Sequence, residues 1–328
     1  MIRELRVCLG EGHDPYFNLA VEQCLLEGAR PGCCTLYLWQ NQNTVVIGRN
    51  QNAWKECRTE LLEAEGGRLA RRLSGGGAVF HDLGNLNFTF LVPAEDYSVA
   101  RQLSVIAAAC RNLGIAAETS GRNDLLADGR KFSGNAFYQS GENYYHHGTL
   151  LVDVDMERMG RYLCPSQAKL AAKGVSSVRS RVVNLRDLRP DLTVPLLSQA
   201  LTEAFSQVYG LPWTPVGVET LDRNALAAMR ARNASWEWIY GRSLPFSFSC
   251  QGRFPWGEIQ LQFQVEEGVV QTARVYSDSM DWRLAPVLEA ALAGCRFDRA
   301  ALDAQLAQVL GPGQTCEDLR GLLAAQDL

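Results

Sequence analysis

Three clusters of residues in this chain are suited to holding an anion while bonds to it change. The first runs from Arg71 to Asp82 and sets Arg71 and Arg72 ahead of the consecutive glycines Gly75, Gly76 and Gly77, then Ala78, Val79, Phe80 and His81. Glycines remove every Cβ where the backbone turns, so main-chain N–H groups can approach phosphate or carboxylate oxygens, and guanidiniums add charge-assisted bonds. The second is Gly121 to Tyr138, where Asp128-Gly129 signals a type I′ hairpin turn. With a two-residue loop Leu126 faces Lys131 and Asp124 faces Ser133, which gathers Asp124, Leu126, Lys131 and Ser133 on one face, with Asn123 at the strand entrance. The third is basic: Arg158, Arg161, Lys169, Lys173, Arg179, Arg181 and Arg186 lie between Glu157 and Asp187 with no carboxylate among them. Each cluster also has a plainer reading, as a hairpin loop, a surface lysine and a solvated face. Together they suit a nucleotide whose phosphate is displaced: a carboxylate attacking the α-phosphorus of ATP builds charge that a fixed lysine, backbone amides and Mg²⁺ would stabilise. Neither the Walker spacing nor the dinucleotide G-x-G-x-x-G spacing is present.

The elements that must position these clusters follow from pattern. Asp14-Pro15 opens a helix through Asn18 to Glu27, and Thr35–Trp39 and Thr44–Ile47 read as strands. Trp54–Ala64 and Val99–Leu113 read as helices, Leu86–Val92 and Ala116–Thr119 as strands. A strand entered at Asn143 runs through Leu150 to Val154 and turns one of His146 and His147 inward. Met156–Leu163, Pro195–Tyr209 and Thr220–Arg232 read as helices, and Lys169 and Lys173 share a helical face that Gly174 can close. A boundary in the Trp- and Pro-bearing stretch after Ser235 divides a domain 1–244 from a tail 245–328, where Trp236 and Trp238 are expected to pack. The tail has a hairpin about Glu267-Gly268 and helices over Ala285–Leu292, Asp298–Leu310 and Cys316–Ala325. Ordinary apolar and charged fractions indicate a soluble globular protein, and a net charge of −4 argues against a general nucleic-acid binder. No apolar run could span a bilayer, and the ten cysteines form no C-x-x-C pair, so reduced thiols and a cytoplasmic location are expected. Four histidines and the Cys33-Cys34 doublet lack the spacing of a structural zinc site.

The segments from Arg71 (RRLSGGGAVFHDLGNLNFTF), Gly121 (GRNDLLADGRKFSGNAF), Tyr145 (YHHGTLLVDVD) and Lys169 (KLAAKGVSSVRSRVVNL) occur in the order found in lipoate-protein ligases, and the chain closely resembles that family from about Asn18 to Leu188. The tail after the SWEW at Ser235 resembles the accessory domain of its two-domain members. The resemblance implies an α+β protein with a large mixed-sheet catalytic domain of the biotin/lipoate ligase type and a small α+β C-terminal domain. It implies two steps: lipoate and ATP with Mg²⁺ give lipoyl-adenylate and pyrophosphate, and the acyl group then passes to a lysine. The acceptors it implies are apo lipoyl domains of 2-oxoacid dehydrogenase complexes and the glycine-cleavage H protein. By resemblance, Arg72, Gly75, Gly76, Gly77, Ala78, Val79 and Phe80 form an adenylate-binding loop. Lys131 contacts the lipoyl carbonyl and the phosphate, while Asn123 and Asp124 lie near nucleotide and metal. Arg72, His81 and His147 join Lys131 at the lipoate, and Lys173, Gly174, Ser177 and Arg179 belong to a loop that closes over the intermediate. The lipoyl chain is apolar, so its tunnel needs aliphatic and aromatic walls. A monomer is expected, with neither nucleic acid nor membrane as partner. One departure is that Phe137-Tyr138-Gln139 follows the SGNA segment, where some members have an arginine. Rival readings are an ATP-independent octanoyl or lipoyl transferase working through a thioester at Cys164, a biotin ligase, and a non-catalytic lipoate or nucleotide sensor.

Overall fold

The computed structural model describes residues 1–120, 124–164, 182–240, 248–266 and 268–326. Its strands are β1 (Glu4–Leu9), β2 (Cys33–Trp39), β3 (Thr44–Ile47), β4 (Arg68–Arg71), β5 (Val79–His81), β6 (Asn85–Pro93), β7 (Ala117–Ser120), β8 (Asp124–Ala127), β9 (Arg130–Ser140), β10 (Asn143–Leu151) and β11 (Trp213–Pro215), followed by β12 (Phe248–Phe254), β13 (Gly257–Glu266) and β14 (Val269–Ser277). An eight-stranded mixed sheet in the order β11-β1-β2-β6-β10-β9-β8-β7 carries the first part of the chain, with β1 parallel to both β11 and β2. A smaller sheet has the order β4-β3-β5.

Both faces of the large sheet are covered. On one side Val105, Ile106 and Ala109 of the helix Val99–Asn112 and Leu197, Leu201 and Phe205 of the helix Val194–Tyr209 pack on Leu36, Phe88 and Phe90. On the other, Leu19 and Leu26 of the helix Pro15–Glu27 and Leu226 of the helix Arg223–Ala234 meet Tyr37, Leu91 and Tyr145. Burial on two faces explains why every residue of β2 and β6 is buried, where a one-sided sheet would alternate. The expected cap holds: Asp14 accepts from the Tyr16 N–H at 3.1 Å with Pro15 opening the helix.

Several elements differ from the pattern-based reading. β1 and β11 were not expected, and the helix read over Trp54–Ala64 is two short ones, Ala53–Glu56 and Thr59–Ala64. Asp222 is the N-cap of the helix Arg223–Ala234 rather than part of its first turn, and β10 stops at Leu151. His146 and His147 are both buried, because alternate residues of β10 face two covered sides. Among the described residues no helix is long and apolar enough to cross a membrane.

By compactness the chain divides into Met1–Val46, Cys57–Ala70 and Val79–Ser235 on one hand, and Ile47–Glu56, Arg71–Ala78 and Trp236–Leu328 on the other. The second unit holds the three-stranded antiparallel sheet β12-β13-β14 and the helices Leu284–Leu292, Arg299–Leu310 and Gln314–Ala324, around Ile259, Leu261, Phe263, Leu288 and Leu306. It also contains the triple-glycine segment. The expected boundary at 244/245 falls within 241–247, outside the described residues.

Candidate active site

Lys131 sits on β9 just after the hairpin turn. Asp128 and Gly129 both have positive φ, 53° and 68°, which is the type I′ geometry the Asp-Gly pair favours. Leu126 pairs with Lys131 as expected. Asp124, however, pairs with Gly134 and Leu125 with Ser133, because Phe132 is an extra residue in a β-bulge. The expected facing of Asp124 and Ser133 is therefore replaced: Phe132 and Ser133 are buried, and Asp124, Leu126 and Lys131 remain part-exposed. Lys131 Nζ lies 2.7 Å from Asp124 Oδ1. Gly134 leaves room for that ammonium, since a Cβ there would lie 3.0 Å from Nζ and 3.1 Å from Cε. Val182 bridges to Lys131, and the Val183 N–H donates to the Lys131 carbonyl at 3.0 Å, so the chain leaving the basic segment rejoins the fold beside this lysine.

Farther along the sheet, β10 and β6 present a buried polar chain. Trp39 Nε1 donates to Thr89 Oγ1 (3.1 Å), Thr89 donates to Glu22 Oε1 (2.6 Å), and His147 Nδ1 donates to the same carboxylate oxygen (2.8 Å). His147 pairs across the strands with Thr89 and with Ala136. His81 on β5 meets Trp39 edge-on at 6.1 Å, and its Nδ1 lies 3.1 Å from Asn41 Nδ2. Around this chain Tyr37, Trp39, Leu91 and Tyr145, with Val79 and Tyr138 at the margin, form one apolar cluster. Phe80 turns away from it, buried against Tyr162 at 5.4 Å. The sequence motifs had not marked Glu22, Trp39 or Thr89 as site residues. One signal was available: Glu22 occupies the apolar stripe of its helix, with Leu19 and Leu26, where an acid demands a partner.

His146, on the opposite face of β10, is fully buried between Gln102 Oε1 (3.0 Å) and Asn135 Oδ1 (2.9 Å). Burial, reinforced by neighbouring His147, pushes its pKa down to about 3, and because a neutral ring has a single N–H, the Gln102 amide, whose Nε2 has no other partner, must turn that nitrogen to the ring.

In the second unit, the triple-glycine segment is shaped by its own arginines. Arg72 is buried and donates to Ser74 Oγ (3.0 Å) and to the carbonyls of Gly75 (2.7 Å) and Gly77 (2.8 Å). Arg71 is buried too and donates to the carbonyls of Gly48, Arg49, Gln51, Trp238 and Ile239. Trp238 returns a bond to the Arg71 carbonyl, while Trp236 is exposed. The expected phosphate-facing guanidiniums thus bind main-chain carbonyls. Gly76 has φ 88° and donates its N–H to the Ser279 carbonyl at 3.0 Å. Gly75 packs so closely there that a Cβ would lie 2.3 Å from the Ser279 oxygen. The Gly75 and Gly77 amides have no hydrogen-bond partner among the described residues.

Asn123, Lys173, Gly174, Ser177 and Arg179 lie outside the described residues. Cys164 is half-buried, one residue beyond the bridge between Cys57 and Leu163. No group of three or more His, Cys, Asp or Glu among the described residues is arranged to hold a metal ion. Asp124 offers one carboxylate, which fits a magnesium ion held chiefly by phosphates and water.

Residues 14–206 match the family model described as the lipoyl protein ligase A/B catalytic domain. The chain belongs to that family. Residues 243–320 match a second model, the bacterial lipoate protein ligase C-terminus. Among solved structures, P. falciparum LipL1 in complex with lipoate is 25% identical, with 98% of this chain and 100% of that one covered and a TM-score of 0.87. A bipartite lipoate protein ligase from Thermoplasma acidophilum, described with its E2 lipoyl domain, is 23% identical over 76% of this chain and 100% of its own, at a TM-score of 0.64. A lipoate-protein ligase A bound with ATP is 24% identical over 73% of this chain and 99% of its own, at 0.63. The last two speak to the fold. The ligase family membership and the mixed α+β architecture agree with the motif-based reading.

Proposed function

We propose that this chain is an ATP-dependent lipoate-protein ligase that forms lipoyl-adenylate and transfers the lipoyl group to a lysine of an acceptor lipoyl domain. The observation that carries this reading is the Lys131–Asp124 pair at 2.7 Å, on a catalytic-domain fold whose buried Trp39–Thr89–Glu22–His147 chain lies in an apolar cluster. Lys131 is a fixed cation for the carboxylate as it attacks and for the α-phosphate as charge grows there; it need not bond covalently. Asp124 orients that ammonium. The hydrocarbon chain is assigned to the apolar wall of Tyr37, Trp39, Leu91 and Tyr145, with His147 and His81 as the polar groups beside it. The Gly75 and Gly77 amides are the donors available to a phosphate. Mg²⁺, when bound, supplies charge neutralisation on the phosphates, with Asp124 as the protein carboxylate nearest in kind. The acceptors proposed are the apo lipoyl domains of 2-oxoacid dehydrogenase complexes and the H protein, and the Thermoplasma ligase described with its E2 lipoyl domain supports that class.

The test is to incubate the chain with Mg²⁺-ATP, lipoate and an unmodified lipoyl domain, and to follow the domain's mass. A lipoyl-sized gain that requires ATP is expected, and Lys131→Ala should lower its rate by about 100-fold or more. Modification from an octanoyl-carrier protein with ATP irrelevant, abolished by Cys164→Ser, would overturn the ligase reading in favour of a thioester transferase.

A further inference from the structure

We propose that Arg49 is an oxyanion-binding residue that grips the diphosphate portion of a nucleoside triphosphate, the part that leaves as pyrophosphate. Arg49 sits against the triple-glycine segment: its N–H donates to the Ser74 carbonyl at 2.9 Å, and neighbouring Gly48 approaches so closely that a Cβ there would lie 2.2 Å from the Gly76 oxygen. Its guanidinium lies between two indoles, 5.6 Å from the Trp238 ring centre and 5.3 Å from that of Trp282. Cation–π contact with two rings holds the cation without using its N–H groups, which remain to bind something else. Among the described residues no carboxylate, carbonyl or hydroxyl accepts from that side chain. Arg71 and Arg72 beside it bind main-chain carbonyls, so Arg49 is the arginine of this trio whose donors are open.

A half-buried guanidinium with open N–H groups, on a residue whose backbone abuts the triple-glycine segment, matches a phosphate oxyanion with two accepting oxygens. The diphosphate is the portion assigned because a planar fork of donors suits several closely spaced phosphate oxygens, where AMP offers a single phosphate. That assignment rests on the ATP-dependent reading above.

Binding of inorganic pyrophosphate, ATP and AMP to the full chain, measured by calorimetry, tests it. Arg49→Met keeps an unbranched stem between the indoles and removes charge and donors. It should weaken pyrophosphate and ATP at least about tenfold, with AMP, which lacks the diphosphate, within about twofold of the parent. Arg49→Lys keeps the charge without the planar fork and should show the same split at smaller size, so the outcome does not hang on one variant folding. Equal affinities of parent and both variants for pyrophosphate, or parallel losses for AMP and pyrophosphate, would show Arg49 to be an aromatic staple only. Arg49-dependent pyrophosphate binding in a chain that modifies no lipoyl domain would sink the ligase reading and leave this inference standing.

Discussion

At the scale of single residues, the pair Lys131–Asp124 is more than a third exposed on both sides, and an ion pair so placed adds little to stability. Its value is positional, and Gly134 offers a way to separate position from folding. Only Lys131 atoms lie within 4 Å of a Cβ added at Gly134, and the backbone there is not left-handed. Gly134→Ala should therefore leave the melting temperature unchanged or raise stability by about 0.4–1 kcal/mol through the unfolded chain. The same methyl displaces the ammonium, and turnover should fall by about 10- to 100-fold, since a misplacement near 1 Å is enough for that. Thermal melts and lipoylation rates on one preparation check both halves. A variant that loses stability and activity together would indicate a merely structural glycine.

At the scale of elements, β10 shows how one strand serves two environments. His147 faces the apolar cluster with its carboxylate partner, and His146 faces the other core, ringed by Phe88, Phe90 and Phe137. Because His146 is held near pKa 3 when folded and returns to about 6.5 when unfolded, the unfolded chain takes up its proton first as pH falls. The stability that a neutral His146 allows is complete above about pH 6.5 and drains as pH drops toward 3, at up to about 1.4 kcal/mol per pH unit. Melting temperatures from pH 7.5 to 4.5 should fall more steeply in the parent than in His146→Gln, whatever the variant's starting stability. Matching slopes would remove His146 as the cause. The hairpin beside this strand marks the limit of sequence reading. Asp128-Gly129 disclosed the turn and the Leu126–Lys131 pairing because both are local. The bulge at Phe132 was not visible, since it depends on burial of that ring among residues distant in sequence. The cap at Asp14 was legible for the same local reason, and β1 and β11 were not, because their partners are far along the chain.

At the scale of the whole molecule, the triple-glycine motif was evident in the sequence, but the task of its glycines was not. Two of them fit against a turn some two hundred residues later: Gly76 donates to Ser279, and Gly75 has no room for a side chain beside the Ser279 and Met280 carbonyls. Asn50 adds to the same seam, donating to the Trp282 carbonyl at 2.7 Å and accepting from the Ser277 N–H at 2.9 Å. The atoms a Gly75 side chain would meet are all backbone, so Gly75→Ala cannot be relieved by a rotamer change and should cost about 1–3 kcal/mol within the second compact unit. Hydrogen exchange read by mass spectrometry gives the decisive pattern. Peptides covering 71–78 and 277–282 should lose protection together in the variant, while peptides from β2 and β6, buried in the other unit, keep theirs. If 71–78 alone speeds up, the two segments are not one cooperative piece, and the glycines owe their place to ligand contact rather than to this packing.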